Sequence, residues 1–198
     1  VRAGHREGFE VKFCDKAGLA IRNGGIYSQI TYVRPGRNHS SNLIPYGKAD
    51  LIIGIDALEA ARGLDPATNQ RIGSRGRTTA IINTSKTPTI LTLLGKDDFC
   101  VADIEDTIRQ NTIAERYFGH SVSELSERYF GTKLYGNILM IGVAFQRGEL
   151  PLSIESLEWA IRETMGPAAT DNWKAFNLGR WLAARGDAEK KAPAPTYN

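Results

Sequence analysis

Cysteine is scarce in this chain: Cys14 and Cys100 are the only two among 198 residues. Two thiols exclude a four-thiolate iron–sulfur site supplied by this chain alone. They fit a reducing cytoplasm better than a disulfide framework. Histidine is also sparse. His5, His39 and His120 are scattered without a paired helical spacing, which argues against zinc. No apolar run approaches the length of a membrane span, and no secretory signal is visible. Neither a phosphate loop nor a dinucleotide fingerprint is present. Charge of one sign is in small surplus, +3 overall. That is too little to argue for nucleic acid, which needs a concentrated basic face. It leaves room for an acidic protein partner or a phosphorylated ligand.

What the sequence does have is the composition of a globular protein with a real core, at 41% hydrophobic and 24% charged residues. Residues 1–7 read as the end of a helix closed by Gly8. Val1 falls inside that element, so the segment before it is expected to be missing. Phe9, Val11 and Phe13 alternate with polar residues as in a strand, and residues 26–33 alternate again. Leu51-Ile-Ile-Gly-Ile55 suits a strand buried on both faces, followed by a helix over 57–62 that Asp56 could cap. Residues 78–83 form another apolar strand, and residues 99–102 a weak one.

From Asp103 onwards the spacing turns helical. Ile104 and Ile108, continued by Ala114 and Phe118, mark one face; Leu134, Ile138, Ile141 and Phe145 mark a second helix. Ile154, Leu157 and Ile161 mark a third, capped by Ser153, and residues 171–184 a fourth. The expected class is α/β: an open, mostly parallel sheet with helices on its faces and a helical C-terminal half. Residues 1–186 read as one domain and 187–198 as a flexible tail.

Three segments could carry chemistry. Arg22-Asn-Gly-Gly25 precedes a strand. Its glycines allow close backbone approach, and Arg22 offers a fork of donors to a phosphate or carboxylate; a tight turn with a surface arginine is the plainer reading. Asn83-Thr-Ser-Lys86 ends a strand, where ligand crevices of open α/β sheets lie, though an ordinary capped turn explains it equally. In Lys133-Leu-Tyr-Gly-Asn137, Asn137 would need hydrogen-bond partners if buried. The basic loop of Arg34, Arg37 and His39 reads as solvated. His120 and Ser121 with Glu124 and Glu127 lack a nucleophile motif, so a triad is rejected. The acidic residues 97–98 and 103–106 lack calcium-loop spacing. No catalytic residue and no metal ligand is assigned.

Four stretches together resemble a known family. They are Ile21-Arg-Asn-Gly-Gly-Ile-Tyr-Ser-Gln-Ile30, residues 48–61, residues 134–153 with their exit Leu150-Pro-Leu152, and Asn172-Trp-Lys-Ala-Phe-Asn-Leu-Gly179. In order and spacing they resemble the gamma subunit or domain of 2-oxoacid:ferredoxin oxidoreductases, in particular the indolepyruvate and aryl-2-oxoacid (phenylglyoxylate-like) branch. The family's Arg-Gly-Gly appears here with Asn23 interposed. Its opening strand, Gly-rich turn and helix are absent before Val1.

The resemblance implies a cytoplasmic, non-catalytic gamma subunit beside alpha, beta and ferredoxin-like delta subunits, with no nucleic acid and no membrane. The holoenzyme would use thiamine diphosphate, magnesium and 4Fe–4S clusters to decarboxylate an aryl 2-oxoacid oxidatively, with coenzyme A as co-substrate and an acyl-CoA as product. Ferredoxin, or NAD through a flavin (FAD) subunit, would accept the electrons. This chain would hold no cofactor alone. Arg22, Asn23, Gly24, Gly25, Asn83 and Thr84 would face coenzyme A or a subunit interface. The competing expectation is a self-sufficient α/β domain that grips a phosphate or coenzyme A through Arg22, Gly24 and Gly25.

Overall fold

The computed structural model describes residues 1–16, 27–37, 41–65, 71–86 and 99–186. A short helix, α1 (Arg2–Arg6), leads through Gly8 (φ +78°) into a hairpin of β1 (Glu10–Lys16) and β2 (Tyr27–Val33). The two strands are antiparallel, with Phe13 opposite Ile30 and Val11 opposite Tyr32. Next come β3 (Leu51–Gly54), α2 (Ala57–Arg62) and β4 (Thr79–Asn83). Helix α3 (Val101–Asn111) precedes β5 (Phe118–His120). The rest is helical: α4 (Val122–Phe130), α5 (Gly136–Gln146), α6 (Ile154–Met165) and α7 (Ala169–Arg185).

Strands β3, β4 and β5 form a parallel sheet with β4 in the middle. All five residues of β4 are buried, as a strand covered on both faces requires. Its alternation sorts them. Ile81 faces a core of Phe118, Val122, Leu125, Leu139, Met140 and Val143, supplied largely by α4 and α5. Ala80 and Ile82 face Ala57, Ala60, Leu64 and Ile108 from α2, its exit and α3. A third cluster joins α1, the hairpin, α6 and the far sides of α5 and α7 around Phe176, Leu157 and Ile161. The helices therefore stand on both faces of the parallel sheet, and the helical C-terminal half supplies one cover.

Helices α5 and α7 cross with almost no side chain between them. A Cβ placed on Gly142 would lie 2.0 Å from the Phe176 carbonyl oxygen, and one on Gly179 would lie 1.9 Å from that of Leu139. Only glycine permits this approach. The Asn172/Ala175/Phe176/Gly179 pattern of α7 is thereby explained as packing: all four residues are buried.

Several expected elements shift. Residues 99–102 form no strand, because Val101 already opens α3. That helix ends at Asn111, so Phe118 belongs to β5 and Ala114 to a single 3₁₀ turn, Ala114–Arg116. Helix α4 emerges where none was expected; Gly131 closes it in the left-handed region at φ +71°. Strand β3 is only half-buried up to Gly54, since it lies at the sheet edge. Residues 187–198 lie outside the described residues.

The caps read from sequence hold. Ser153 accepts the Ser156 N–H at 3.2 Å, and Asp56 accepts from Leu58 and Glu59. A further bond pins the chain start to α6. Glu7 accepts the Ser153 N–H at 2.6 Å and the Ser153 hydroxyl at 2.7 Å. These bonds, the backbone one first, hold the Glu7 carboxyl below its ordinary value. A lowered native pKa stabilises above the unfolded value, and the contribution is lost as pH falls through the native one. Glu7→Gln should therefore lower the urea midpoint at neutral pH, and the gap to wild type should narrow as pH falls below the ordinary glutamate range. A gap that persists unchanged at low pH would refute the charge-assisted bond.

Candidate functional site at the carboxyl edge of the sheet

Parallel strands point their carboxyl ends at one edge, where α/β proteins place ligands. Here the edge consists of Ile55 and Asp56 after β3, residues 84–86 after β4, and Ser121 after β5. The polar groups along it are largely bonded to one another.

Asn83 is the hub. It is 4% exposed, so its amide has to find every partner within the protein. Its Nδ2 donates to the Ile55 carbonyl at 3.0 Å and to Ser123 Oγ at 2.8 Å. Its Oδ1 accepts from the Val122 N–H at 3.0 Å, the Ser123 N–H at 3.3 Å and the Ser85 N–H at 3.2 Å. One side chain thus ties the exits of β3 and β4 to the first turn of α4. Thr84 adds a backbone bond to the His120 carbonyl at 2.9 Å, and its hydroxyl lies 3.4 Å from Ser121 Oγ. Asp56 Oδ1 accepts the Leu58 N–H at 2.8 Å and the Glu59 N–H at 3.3 Å.

The electrostatic consequence is direct. A helix N-terminus attracts an anion through its free amides. At this edge the first-turn amides of α4 and α2 that bond Asn83 and Asp56 are already satisfied. Those amides are therefore not open to a phosphate. The Ser85 hydroxyl is buried without a hydrogen-bond partner among the described residues, and the Lys86 ammonium lies 5.0 Å from the Phe99 ring centre. Arg22, Asn23, Gly24 and Gly25 lie outside the described residues, as does His39.

The same edge is apolar at its rim. Ile55 is 53% exposed although its carbonyl anchors Asn83. Gly136, at the start of α5, packs near Val122 and Ser123. This brings the preceding 3₁₀ turn, Lys133–Tyr135, to that edge, with Leu134 82% exposed. Asn137 is exposed on the first turn of α5, so the condition that would have required it to be bonded does not arise. Helical spacing puts Leu134 on one apolar face with Ile138, Ile141 and Phe145, but the helix starts only at Gly136, so Leu134 falls in the preceding turn and is exposed.

Elsewhere, His120 stacks on Phe118 with ring centres 6.4 Å apart, while Glu124 and Glu127 point outward from α4. Glu127 pairs with Lys133 at 3.6 Å. Glu105 accepts the Tyr117 hydroxyl at 2.8 Å. Burial, reinforced by that carboxylate, pushes the Tyr117 phenol up, so it stays protonated. Among the described residues, no group of three or more His, Cys, Asp or Glu converges to hold a metal ion. No helix among them is long and apolar enough to cross a membrane.

The fold and this edge define an open α/β domain whose strand exits are fastened by its own side chains and rimmed by exposed aliphatic ones. The family model described as pyruvate ferredoxin/flavodoxin oxidoreductase matches residues 1–182, and the chain belongs to that family of oxidoreductases. Two archaeal relatives carry the name indolepyruvate oxidoreductase subunit IorB. The protein from Methanothermobacter thermautotrophicus is 30% identical, covering 84% of this chain and 79% of its own. That from Archaeoglobus fulgidus is 29% identical, covering 90% and 83%. The crystal structure of a keto/oxoacid ferredoxin oxidoreductase gamma subunit from Geobacter sulfurreducens shares the fold. Its TM-score is 0.56 at 16% identity, over 93% of this chain and 86% of that one.

Proposed function

We propose that this chain is a gamma-type subunit that shapes a multi-subunit 2-oxoacid oxidoreductase rather than catalysing alone. The observation that carries this reading is the carboxyl edge. Its central amide is consumed by five internal hydrogen bonds, while Ile55 and Leu134 stand exposed beside it. Such an edge suits contact with another chain better than turnover. Relatives named as subunits, matched over most of their length, support the same reading.

In this proposal the partner chains hold thiamine diphosphate, magnesium and iron–sulfur clusters, and an aryl 2-oxoacid such as indolepyruvate is converted to its acyl-CoA. Residues 1–186 act as one domain. Arg22, with Gly24, Gly25 and Thr84, faces either coenzyme A or the neighbouring subunit. The described residues do not by themselves fit a coenzyme A phosphate, since Asn83 and Asp56 already fill amides at the two helix starts.

Purification of the tagged full chain from its native cells tests this. Larger chains bearing thiamine diphosphate and iron–sulfur clusters are expected to accompany it. Leu134→Asp should reduce their recovery about tenfold or more while leaving the circular dichroism of the chain unchanged. In the assembled enzyme, a raised Michaelis constant for coenzyme A in Arg22→Ala would assign that residue to coenzyme A; an unchanged constant would assign it to the subunit contact. A tagged chain that purifies alone, or that turns over a 2-oxoacid by itself, would defeat the proposal.

A further inference from the structure

The amino edge of the sheet, remote from the strand exits, concentrates positive charge. Two loops lead into β3 and β4 there, residues 45–50 and 71–78. They are fastened together by backbone bonds from Gly47 N–H to the Arg71 carbonyl (3.2 Å) and from Ala49 N–H to the Ile72 carbonyl (2.9 Å). The Ser74 hydroxyl donates to the Gly47 carbonyl at 3.0 Å, and the Thr78 hydroxyl to the Ala49 carbonyl at 2.7 Å. The side chains carried by this rigid base are Lys48, Arg71, Arg75 and Arg77, all exposed. Among the described residues, only Arg77 of these has an ion pair, with Asp50 at 2.7 Å. Four cations against Asp50 leave +3 on these two loops, equal to the surplus of the whole chain. Two other carboxylates stand close in the chain to residues bonded to these loops: Asp65, two residues past Gly63, whose carbonyl accepts the Ile72 N–H, and Glu115, two residues past Ile113, whose N–H donates to the Thr78 carbonyl. Tyr46 (64% exposed) and Leu43 (53% exposed) lie on or beside the first loop.

We infer that this loop cluster is the docking site of an acidic face on a different protein of the same assembly. Charge complementarity selects that occupant. Three cations without an ion pair among the described residues, on a fixed base, attract carboxylates, and an aromatic beside them supplies the apolar contact usual at protein interfaces. Nucleic acid would want a longer basic track. A second copy meeting this patch with its own would oppose like charges. The inference rests on the subunit reading, yet concerns the opposite edge from Leu134.

The test uses the tagged full chain isolated with its companion chains. Carbodiimide coupling, which joins amines to carboxylates without a spacer, should link Lys48 to an Asp or Glu of a companion, and high salt should abolish the link. Arg71→Glu combined with Arg75→Glu should weaken the companion's binding about tenfold or more and flatten its salt dependence, without lowering the thermal midpoint of the chain. Unchanged affinity and salt dependence in that variant would overturn the inference. So would Lys48 links only to a second copy, or displacement of the companion by duplex DNA at physiological salt. Should the variant misfold, the Lys48 link in the wild-type complex decides alone. Absence of any companion would sink both this inference and the subunit reading; companions held equally by wild type and variant sink only this one.

Discussion

Gly142→Ala is expected to cost about 3 kcal/mol or more, and in a chain of ordinary stability to leave a substantial unfolded fraction. The reason is backbone against backbone. The added methyl would sit 2.0 Å from the Phe176 carbonyl oxygen and 3.2 Å from the Arg180 nitrogen, where ordinary contact begins near 3.4 Å. No rotamer change relieves this, because neither atom belongs to a side chain. Helices α5 and α7 would have to separate. The buried groups at their crossing, Leu139, Val143, Ala175 and Phe176, would then lose contact together.

Gly179→Ala makes the reciprocal clash and should cost as much alone. The double variant should cost less than the sum, because helices already parted by one methyl accommodate the second more cheaply. Gly76→Ala, with nothing within 4 Å of the new Cβ, serves as the control and should move stability by no more than about 0.5 kcal/mol. Urea denaturation measures all four. A Gly142→Ala protein with the wild-type midpoint would show that the crossing is not as tight as described.

The second large effect concerns Asn83. Truncation to alanine leaves the Ile55 carbonyl and the Val122, Ser123 and Ser85 amides without this partner at a buried position, and should cost about 3 kcal/mol. Asn83→Asp separates the two halves of the role. A carboxylate still accepts the three N–H bonds but has no hydrogen to donate to Ile55, so its cost should be intermediate. Hydrogen exchange locates the damage: the amides of Val122 and Ser123 should exchange faster in Asn83→Ala, while that of Ile81 in the centre of the sheet changes only as far as global stability does. Stability within about 0.5 kcal/mol of wild type would mean the hub is dispensable. Where stability falls and these amides exchange faster, a functional loss in Asn83→Ala is accounted for by the loosened strand edge.

Much of the fold was legible from local pattern. Alternation placed β1 and β2, an apolar run placed β4, and the caps at Asp56 and Ser153 were visible because a cap depends on neighbours only a few residues away. The helix from Asp103 was legible, but reading failed at residues 99–102 and 112–131, for a physical reason. Strand β5 is only Phe-Gly-His, too short for a period to register, and its pairing partner β4 is some 35 residues earlier. Helix α4 buries Val122, Leu125 and Ser126, and a serine in the apolar face hides its stripe. Its hydroxyl is satisfied by the Thr132 carbonyl at 2.7 Å.

The site was half legible. Asn83 was noticed for standing at a strand exit, yet its five bonds reach residues up to 40 positions away, which no local pattern encodes. The sequence by itself determined most of the strands and helices, β5 and α4 apart, since backbone preference and apolar period act over a few residues. It also carried the likeness to an oxidoreductase family. Only the tertiary structure decided that Gly142 and Gly179 meet, that Asn83 spends its amide internally, and that Leu134 and the Lys48–Arg75 loops stay at the surface. Those outcomes depend on which distant groups exclude water from one another, and that is settled when the layers pack.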